Sequence, residues 1–345
     1  MLLIDRVKDY TNVLIVQSGP VSWNETATNE VCHYAVEAGL DIIVYFGDLS
    51  TRAFDRILRE KGIDLYWRLD WVATAKEKYG DNFLGVYYYD ESGGIWLDQI
   101  EESNSTSWFV DPTYDQIAEL FTAFLARDLG FQALENHSIN VFASDYALYW
   151  WDYKMGYDTI LAQLGWNHTI EQDIGLLRGA ATMQNKSWGT IITWKYFEEP
   201  YLDTPENVYD QMQMSYDAGA DYIIVFNYPY LEDNGYGTLT DGHFEAMENF
   251  WNNVVTNAST KCGSTPAEVA LVLPENYGWG MRRPDDIIWG MFEADEKSEQ
   301  IWNISRQLID QYGISLDIIY EDPDFPDTSI YQKIVYWNQT TTPNR

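Results

Sequence analysis

"FLGVYYYDESGG", residues 83–94, carries an apolar run through three tyrosines into two acids and two glycines. The run is too short for a helix and apolar on both faces, so it reads as a buried strand. The polar end marks the point where the backbone turns away. A strand buried on both faces must be covered twice, and helices are the usual cover in a parallel sheet. The rest of the chain repeats the pattern.

Strands are expected at 12–19, 41–48, 83–90, 139–145, 159–166, 188–196 and 221–229, from apolar, β-branched and aromatic runs. Helical periodicity falls near 25–38, 50–61, 69–79, 114–128, 170–184, 205–218 and 241–256. Thr204-Pro205-Glu206 is a helix start, and Gly39 and Gly219 stand where helices should stop. Seven strand–helix units over residues 1–257 predict an α/β fold, a (β/α)8 TIM-like barrel one strand short. Because "LLIDRVKDY" opens the chain as a helix, the first strand is expected upstream of it; alternatively "EVALVLPE" (268–275) closes the ring. Small and polar residues at 258–267 read as a linker. Residues 268–345, with strands at 269–273, 316–320 and 333–337 and a helix near 297–312, predict a small, partial flavodoxin-like α/β domain.

The chain has 345 residues, 21 Lys and Arg against 54 Asp and Glu, and a formal charge of −33. Such a field repels nucleic acid and anionic membrane surfaces and favours a neutral partner. No stretch approaches the ~18 uninterrupted apolar residues of a spanning helix, so no membrane insertion is expected. Asp5 and Arg6 interrupt the apolar opening, which reads as amphipathic rather than as a secretion signal. Asn-X-Ser/Thr occurs at Asn24, Asn104, Asn136, Asn167, Asn185, Asn257, Asn303 and Asn338, eight sites where chance gives roughly two. That excess predicts an exported, N-glycosylated protein, extracellular or at a cell surface, its export signal lying outside this chain. Cys32 and Cys262 allow one long-range disulfide without requiring it. Four scattered histidines, without HExxH or CxxC, argue against a zinc site. The acidic stretches 321–327 and 232–242 do not match a full calcium loop and read as solvated turns. Nothing in the sequence indicates an organic cofactor, and a Walker loop and a GxSxG nucleophile elbow are both lacking.

In a parallel barrel the reactive groups stand at the carboxyl ends of the strands. Here those ends carry Asp90 and Glu91, Asp145, Gln163 and Trp166, Trp194, Lys195 and Tyr196 followed by Glu198, and Asn227. Two carboxylates across an aromatic-lined pocket suffice for glycoside hydrolysis, one as acid and one as base or nucleophile. Glu91 and Glu198 are the expected pair, being long carboxylates on different strands; Asp145 and Asp90 stand in reserve. Each acid has an alternative role as a cap, an ion-pair partner or plain surface charge. Tyr89, Trp150, Trp166 and Trp194 are candidates for stacking on sugar rings, or for core packing. Gln163, Lys195, Tyr196 and Asn227 are candidates for substrate contacts.

The strand-end series "YYYDESGG", "ASDYALYWWDY", "LAQLGWN", "TWKYFEEPYLD" and "VFNYP" resembles the rim of the (β/α)8-barrel glycoside hydrolases. The tail is similar to the domain that follows the barrel in some β-galactosidase-type enzymes. The resemblance covers residues 1–257 in architecture and implies a glycosidase-like enzyme acting on neutral oligo- or polysaccharide. The Asn-Glu pair usual at the acid/base strand of the largest clan is missing. That departure leaves room for a second function: a non-catalytic surface glycoprotein, either glycan-binding or a self-assembling structural subunit.

Overall fold

The computed structural model describes residues 1–103, 111–166, 168–228 and 235–339. The main sheet is built from β1 (Val13–Val16), β2 (Asp41–Tyr45), β3 (Phe83–Tyr87), β4 (Val141–Asp145), β5 (Thr159–Leu164), β6 (Ser187–Ile192) and β7 (Tyr222–Val225), in that order. The pairings β1–β2, β2–β3, β3–β4, β5–β6 and β6–β7 are parallel. All seven fall within the expected strands or one residue outside them. The fold is thus α/β and TIM-like.

A separate sheet has the order β10–β8–β9, formed by β8 (Val269–Leu273), β9 (Leu316–Tyr320) and β10 (Lys333–Tyr336), all parallel. Residues 268–275 therefore do not close the ring: β8 is the central strand of the second sheet. Its five residues are all buried, so it needs neighbours on both edges and cover on both faces, which β9 and β10 begin to provide.

The helices are α1 (Leu2–Val7), α2 (Gly19–Ser22), α3 (Glu25–Glu37), α4 (Thr51–Lys61), α5 (Trp67–Tyr79), α6 (Ser92–Ser103), α7 (Tyr114–Thr122), α8 (Leu129–Asn136), α9 (Tyr149–Met155), α10 (Ile170–Gln184), α11 (Pro205–Ala218), α12 (Asp241–Phe250) and α13 (Glu296–Tyr312). Their starts follow local chemistry. The Thr204 hydroxyl accepts from Asn207 N at 3.3 Å, ahead of Pro205 in the first turn of α11. Gly219 ends that helix in the left-handed conformation. The helix expected over 114–128 is shorter, because α7 stops at Thr122 and a 3-10 turn follows at Leu125–Arg127. Helices α2, α6, α8 and α9 fall outside the expected helical stretches; α6 opens on Ser-Gly-Gly and α9 is largely aromatic, so neither shows a clear helical signal.

Two compact units divide the chain. One comprises residues 1–90, 124–143 and 227–257, the other residues 91–123, 144–226 and 258–345. In the first, Arg68 is buried and donates to the carbonyls of Ser22 (3.0 Å from Nε) and Phe46 (2.7 Å from Nη1), tying α2 to the end of β2. Burial lowers its pKa to about 10.

In the second unit, α10 packs against β5 and β6 and also against β9. Gly175 and Gly179 permit this: a Cβ at these positions would lie 2.7 Å from the Leu316 carbonyl oxygen and 2.8 Å from that of Ile318. Between them, Arg178 Nε donates to Asp317 Oδ1 at 2.7 Å, and Nη2 donates to the Ile314 carbonyl at 2.6 Å. The other Asp317 oxygen accepts from Tyr331 Oη at 2.8 Å. Asp317 is fully buried, and this desolvation raises its pKa against the pull of Arg178. Asp317→Ala leaves a buried guanidinium without its counter-ion and is expected to cost about 3–5 kcal/mol in urea denaturation, whereas Tyr331→Phe is expected to cost about 1 kcal/mol.

Candidate functional site

The opening tyrosines have separate tasks. In the first unit, Tyr87 donates its hydroxyl to Asp90 and Tyr88 donates to Asp128, while Tyr89 Oη reaches the other Asp128 oxygen at 3.2 Å. Asp128 also caps α8, accepting from Phe131 N at 2.8 Å. Asp90 and Tyr89 are thus held by hydrogen bonds in the turn after β3. Asn227 Oδ1, in the same unit, accepts from Thr238 Oγ1 at 3.4 Å.

The remaining strand-end groups belong to the second unit. Glu91 has a left-handed backbone, φ 56°, and its N–H donates to the Ser144 carbonyl at 2.9 Å. Its carboxylate accepts from Gln163 Nε2 at 2.7 Å, and the same amide reaches Ser144 Oγ at 2.9 Å. Gln163, on β5, is nearly buried, whereas Glu91 is half-buried. The acid is therefore oriented from one side and keeps an open side. Leu148, Trp166 and Tyr201, past β4, β5 and β6, also have positive φ. A left-handed backbone at a non-glycine residue costs of order 1–3 kcal/mol and persists only where its surroundings hold it. Four such residues follow successive strands of one sheet.

Asp145 ends β4 and is buried with both oxygens engaged. It accepts from the N–H groups of Gly93 (2.6 Å), Gly94 (2.8 Å), Tyr146 (2.7 Å) and Ala147 (3.2 Å). It therefore caps the first turn of α6, directly after Glu91. The glycines of "ESGG" answer to this packing, since a Cβ on Gly93 would stand 2.5 Å from the Ala147 carbonyl oxygen and one on Gly94 would run into the Tyr146 ring. Burial pushes the Asp145 carboxyl up to about 7 against the pull of those four N–H groups. Burial and the neighbouring Asp145 hold Asp152, on α9, well above the usual carboxylate range.

Trp166 N donates to the Trp194 carbonyl at 2.6 Å, and its ring meets that of Phe197, centroids 4.4 Å apart. Phe197 is 88% exposed and Tyr196 45% exposed, on the turn that also carries Glu198. Glu198 is exposed, and its carbonyl accepts from Tyr201 N at 2.9 Å. Phe197 went unrecognised in the sequence, although it lies between Tyr196 and Glu198. Trp194 packs on Phe226 and Tyr201. Trp150 is buried, with its indole N–H donating to Asp322 at 3.0 Å.

Between β5, β6 and α11 lies a cleft with about 40 Å³ of space, lined by Gly165, His168, Thr193, Lys195, Asp203 and Gln211 among others. Lys195 Nζ stands 3.9 Å from Asp203 Oδ2. Asp203 also accepts from Asn207 Nδ2 at 2.7 Å and from Gln211 Nε2 at 3.3 Å.

Among the described residues, no group of three or more His, Cys, Asp or Glu is placed to hold a metal ion, and no helix is long and apolar enough to cross a membrane. Both cysteines are free thiols, Cys32 buried and Cys262 exposed. Of the sequon asparagines, Asn24, Asn136, Asn185, Asn257, Asn303 and Asn338 are exposed. Asn104 and Asn167 lie outside the described residues.

No family model matches the chain, and no curated protein matches it. Among solved structures it is similar to one reported for two fungal β-1,4-galactanases, with 11% identity and a TM-score of 0.41, covering 72% of this chain and 90% of that one. It is also similar to the β-glycosidase BGL167, with 12% identity and a TM-score of 0.41, over 73% and 84% of the two chains. A third is the tri-modular endo-β-1,4-glucanase B of Bacillus halodurans, with 9% identity and a TM-score of 0.36, over 72% and 55%. All three are glycoside hydrolases by name. At these identities they fix neither substrate nor mechanism.

The Asp145 carboxyl has a pH consequence. Its unfolded pKa is near 3.9, so between about pH 4 and pH 7 the folded state binds more protons than the unfolded state. Its contribution to stability is therefore greatest at low pH and declines as pH rises through that window. Urea midpoints measured across it are expected to fall with this contribution, and Asp152→Asn, which removes the second buried carboxyl, is expected to flatten the slope.

Proposed function

We propose that this chain is a glycosidase-like protein acting on neutral oligo- or polysaccharide, with Glu91 as one of two working carboxylates. The observation that carries this reading is Glu91 itself. It is a half-buried acid on a strained strand-end turn, fixed by Gln163 and without an ion pair among the described residues. An acid with ordered geometry and an open face is what proton transfer to a glycosidic oxygen needs. Glu198, on the aromatic turn, is the second carboxylate in this reading. Trp166, Tyr196 and Phe197 offer apolar faces to a pyranose, and Lys195 and Gln163 offer polar contacts. Asp145 supports the site as the cap behind Glu91, and Asp90, Tyr89, Asn227, Trp150 and Trp194 serve as framework. The separation of a barrel part, 1–257, from a C-terminal part, 268–345, belongs to the same proposal.

One observation favours a non-catalytic glycan-binding protein, a surface subunit able to self-assemble. Asp145, fully used by backbone N–H groups, is not available as a second acid, which leaves that task to an exposed Glu198. Hydrolysis of 4-nitrophenyl glycosides separates the two readings. The enzyme reading expects measurable turnover that drops about 10²–10⁴-fold in Glu91→Gln and comparably in Glu198→Gln. Binding without turnover on any glycoside favours the second reading.

The six exposed sequon asparagines support export and N-glycosylation, at a cell surface or outside the cell. Material from a glycosylating host is expected to lose mass on enzymatic deglycosylation, with Asn24→Gln and Asn303→Gln each removing one glycan's worth.

A further inference from the structure

Between β8 and α13, residues 274–295 are held by turns and by isolated bridges from Ile288 to Trp279 and Phe292, in place of a helix or strand. A stretch of that length without regular structure is uncommon in a compact unit and is usually either disordered or functional. This one is ordered: Tyr277, Trp279, Met281, Ile288 and Trp289 are all buried. It also makes specific contacts with two helices of the same unit. Trp96 of α6 donates its indole N–H to the Trp289 carbonyl at 3.2 Å, and Gln172 of α10 donates to the Met281 carbonyl at 2.8 Å. A Cβ on Gly280 would lie 2.9 Å from Leu97 Cδ1, so the backbone closes onto α6 there.

Arg282 carries this contact toward Glu91. Its Nε and Nη2 donate to the two oxygens of buried Asp286, each at 2.8 Å, so the guanidinium is gripped by two parallel bonds. Nη1 is thereby presented to Asp98 Oδ1 on α6 at 2.8 Å. The other Asp98 oxygen accepts from Tyr146 Oη at 2.7 Å. Asp98 is 52% exposed, and an exposed ion pair by itself contributes little. Here the cation is fixed in advance, and the acid passes that position on to Tyr146. The far end of Tyr146 is anchored as well: its N–H donates to Asp145 Oδ1, the carboxylate that clamps Gly93 and Gly94. Its ring occupies the place that a Cβ on Gly94 would take. Burial, the bond to Asp98 and the charges of Asp98, Asp145 and Glu91 all push the Tyr146 hydroxyl pKa up, so it remains a donor.

We propose that Arg282, Asp98 and Tyr146 are positioning residues for Glu91, and that residues 274–295 thereby belong to the site. Loosening any of the three frees the first turn of α6, where the Ile95 N–H donates to the Glu91 carbonyl at 2.8 Å, and with it the orientation of the acid. This inference rests on the glycosidase-like reading, in which Glu91 is a working carboxylate, and adds a stretch of chain which that reading leaves outside the site.

Amide hydrogen exchange and turnover of 4-nitrophenyl glycosides test it, on the full chain and on Arg282→Met, Arg282→Lys and Tyr146→Phe. Tyr331→Phe, which weakens the second sheet, is the control for a general loss of stability. Exchange at Gly93 and Gly94 is expected to rise about tenfold in Arg282→Met and Tyr146→Phe, while β5 and β9 keep their protection. In the same two variants kcat is expected to fall about tenfold with KM unchanged. Arg282→Lys, which keeps the charge but loses the two-pronged grip, should recover part of both. Tyr146→Phe decides the matter if Arg282→Met leaves Asp286 unpaired and does not fold. Unchanged exchange at the two glycines, or exchange raised evenly as in Tyr331→Phe, overturns the proposal. So does faster exchange at the glycines with kcat intact. If the unmodified chain turns over no glycoside, the enzyme reading falls, and exchange at the two glycines alone decides whether these residues hold the Glu91 turn.

Discussion

The buried contact between Arg178 and Asp317 sets the terms for much of the second unit. A guanidinium taken out of water needs every donor engaged, and here a carboxylate and several backbone carbonyls engage it. Because Asp317 and the Ile314 carbonyl come from β9 and the turn before it, and the others from the end of α11 and from Thr265, α10 is fixed against the second sheet as well as against β5 and β6. The two glycines flanking Arg178 let the helix backbone come near enough for the arginine to reach. Were α10 to shift, β5 would lose its cover, and with it the support for Gln163.

From Gln163 the constraint passes to the site. The amide holds one oxygen of Glu91, while Asp145 clamps the start of α6 just beyond it. Two groups that look equivalent in the sequence, an acid after β3 and an acid ending β4, thus have different roles. One is oriented toward an open side; the other is spent on the backbone. Burial is what separates them, since Asp145 has no exposed face and Glu91 has one.

Much of the fold was legible in the sequence. The strands revealed themselves by continuous apolar runs, and longer helices such as α10 and α11 by period, Pro205 and Gly219. What could not be read was which edge each late strand would join. Residues 268–275 fit a ring strand as well as a second-sheet strand until their partners at 316–320 and 333–336 are known. Helix α6 was hidden because its start depends on a cap from Asp145, some fifty residues away. The site was legible only in part: the acids were visible, but not their burial.

The Gly175–Gly179 stretch of α10, which carries Arg178, bears on how such a chain can be divided or inherited. A helix that serves two sheets cannot be exchanged with either one alone. A shortened chain ending at Asn257 would keep α10 but strip one flank of it, leaving the Arg178 cation without Asp317 and the helix backbone between Gly175 and Gly179 facing water. Recombination within this architecture would therefore carry β5, α10 and the tail together as one cassette.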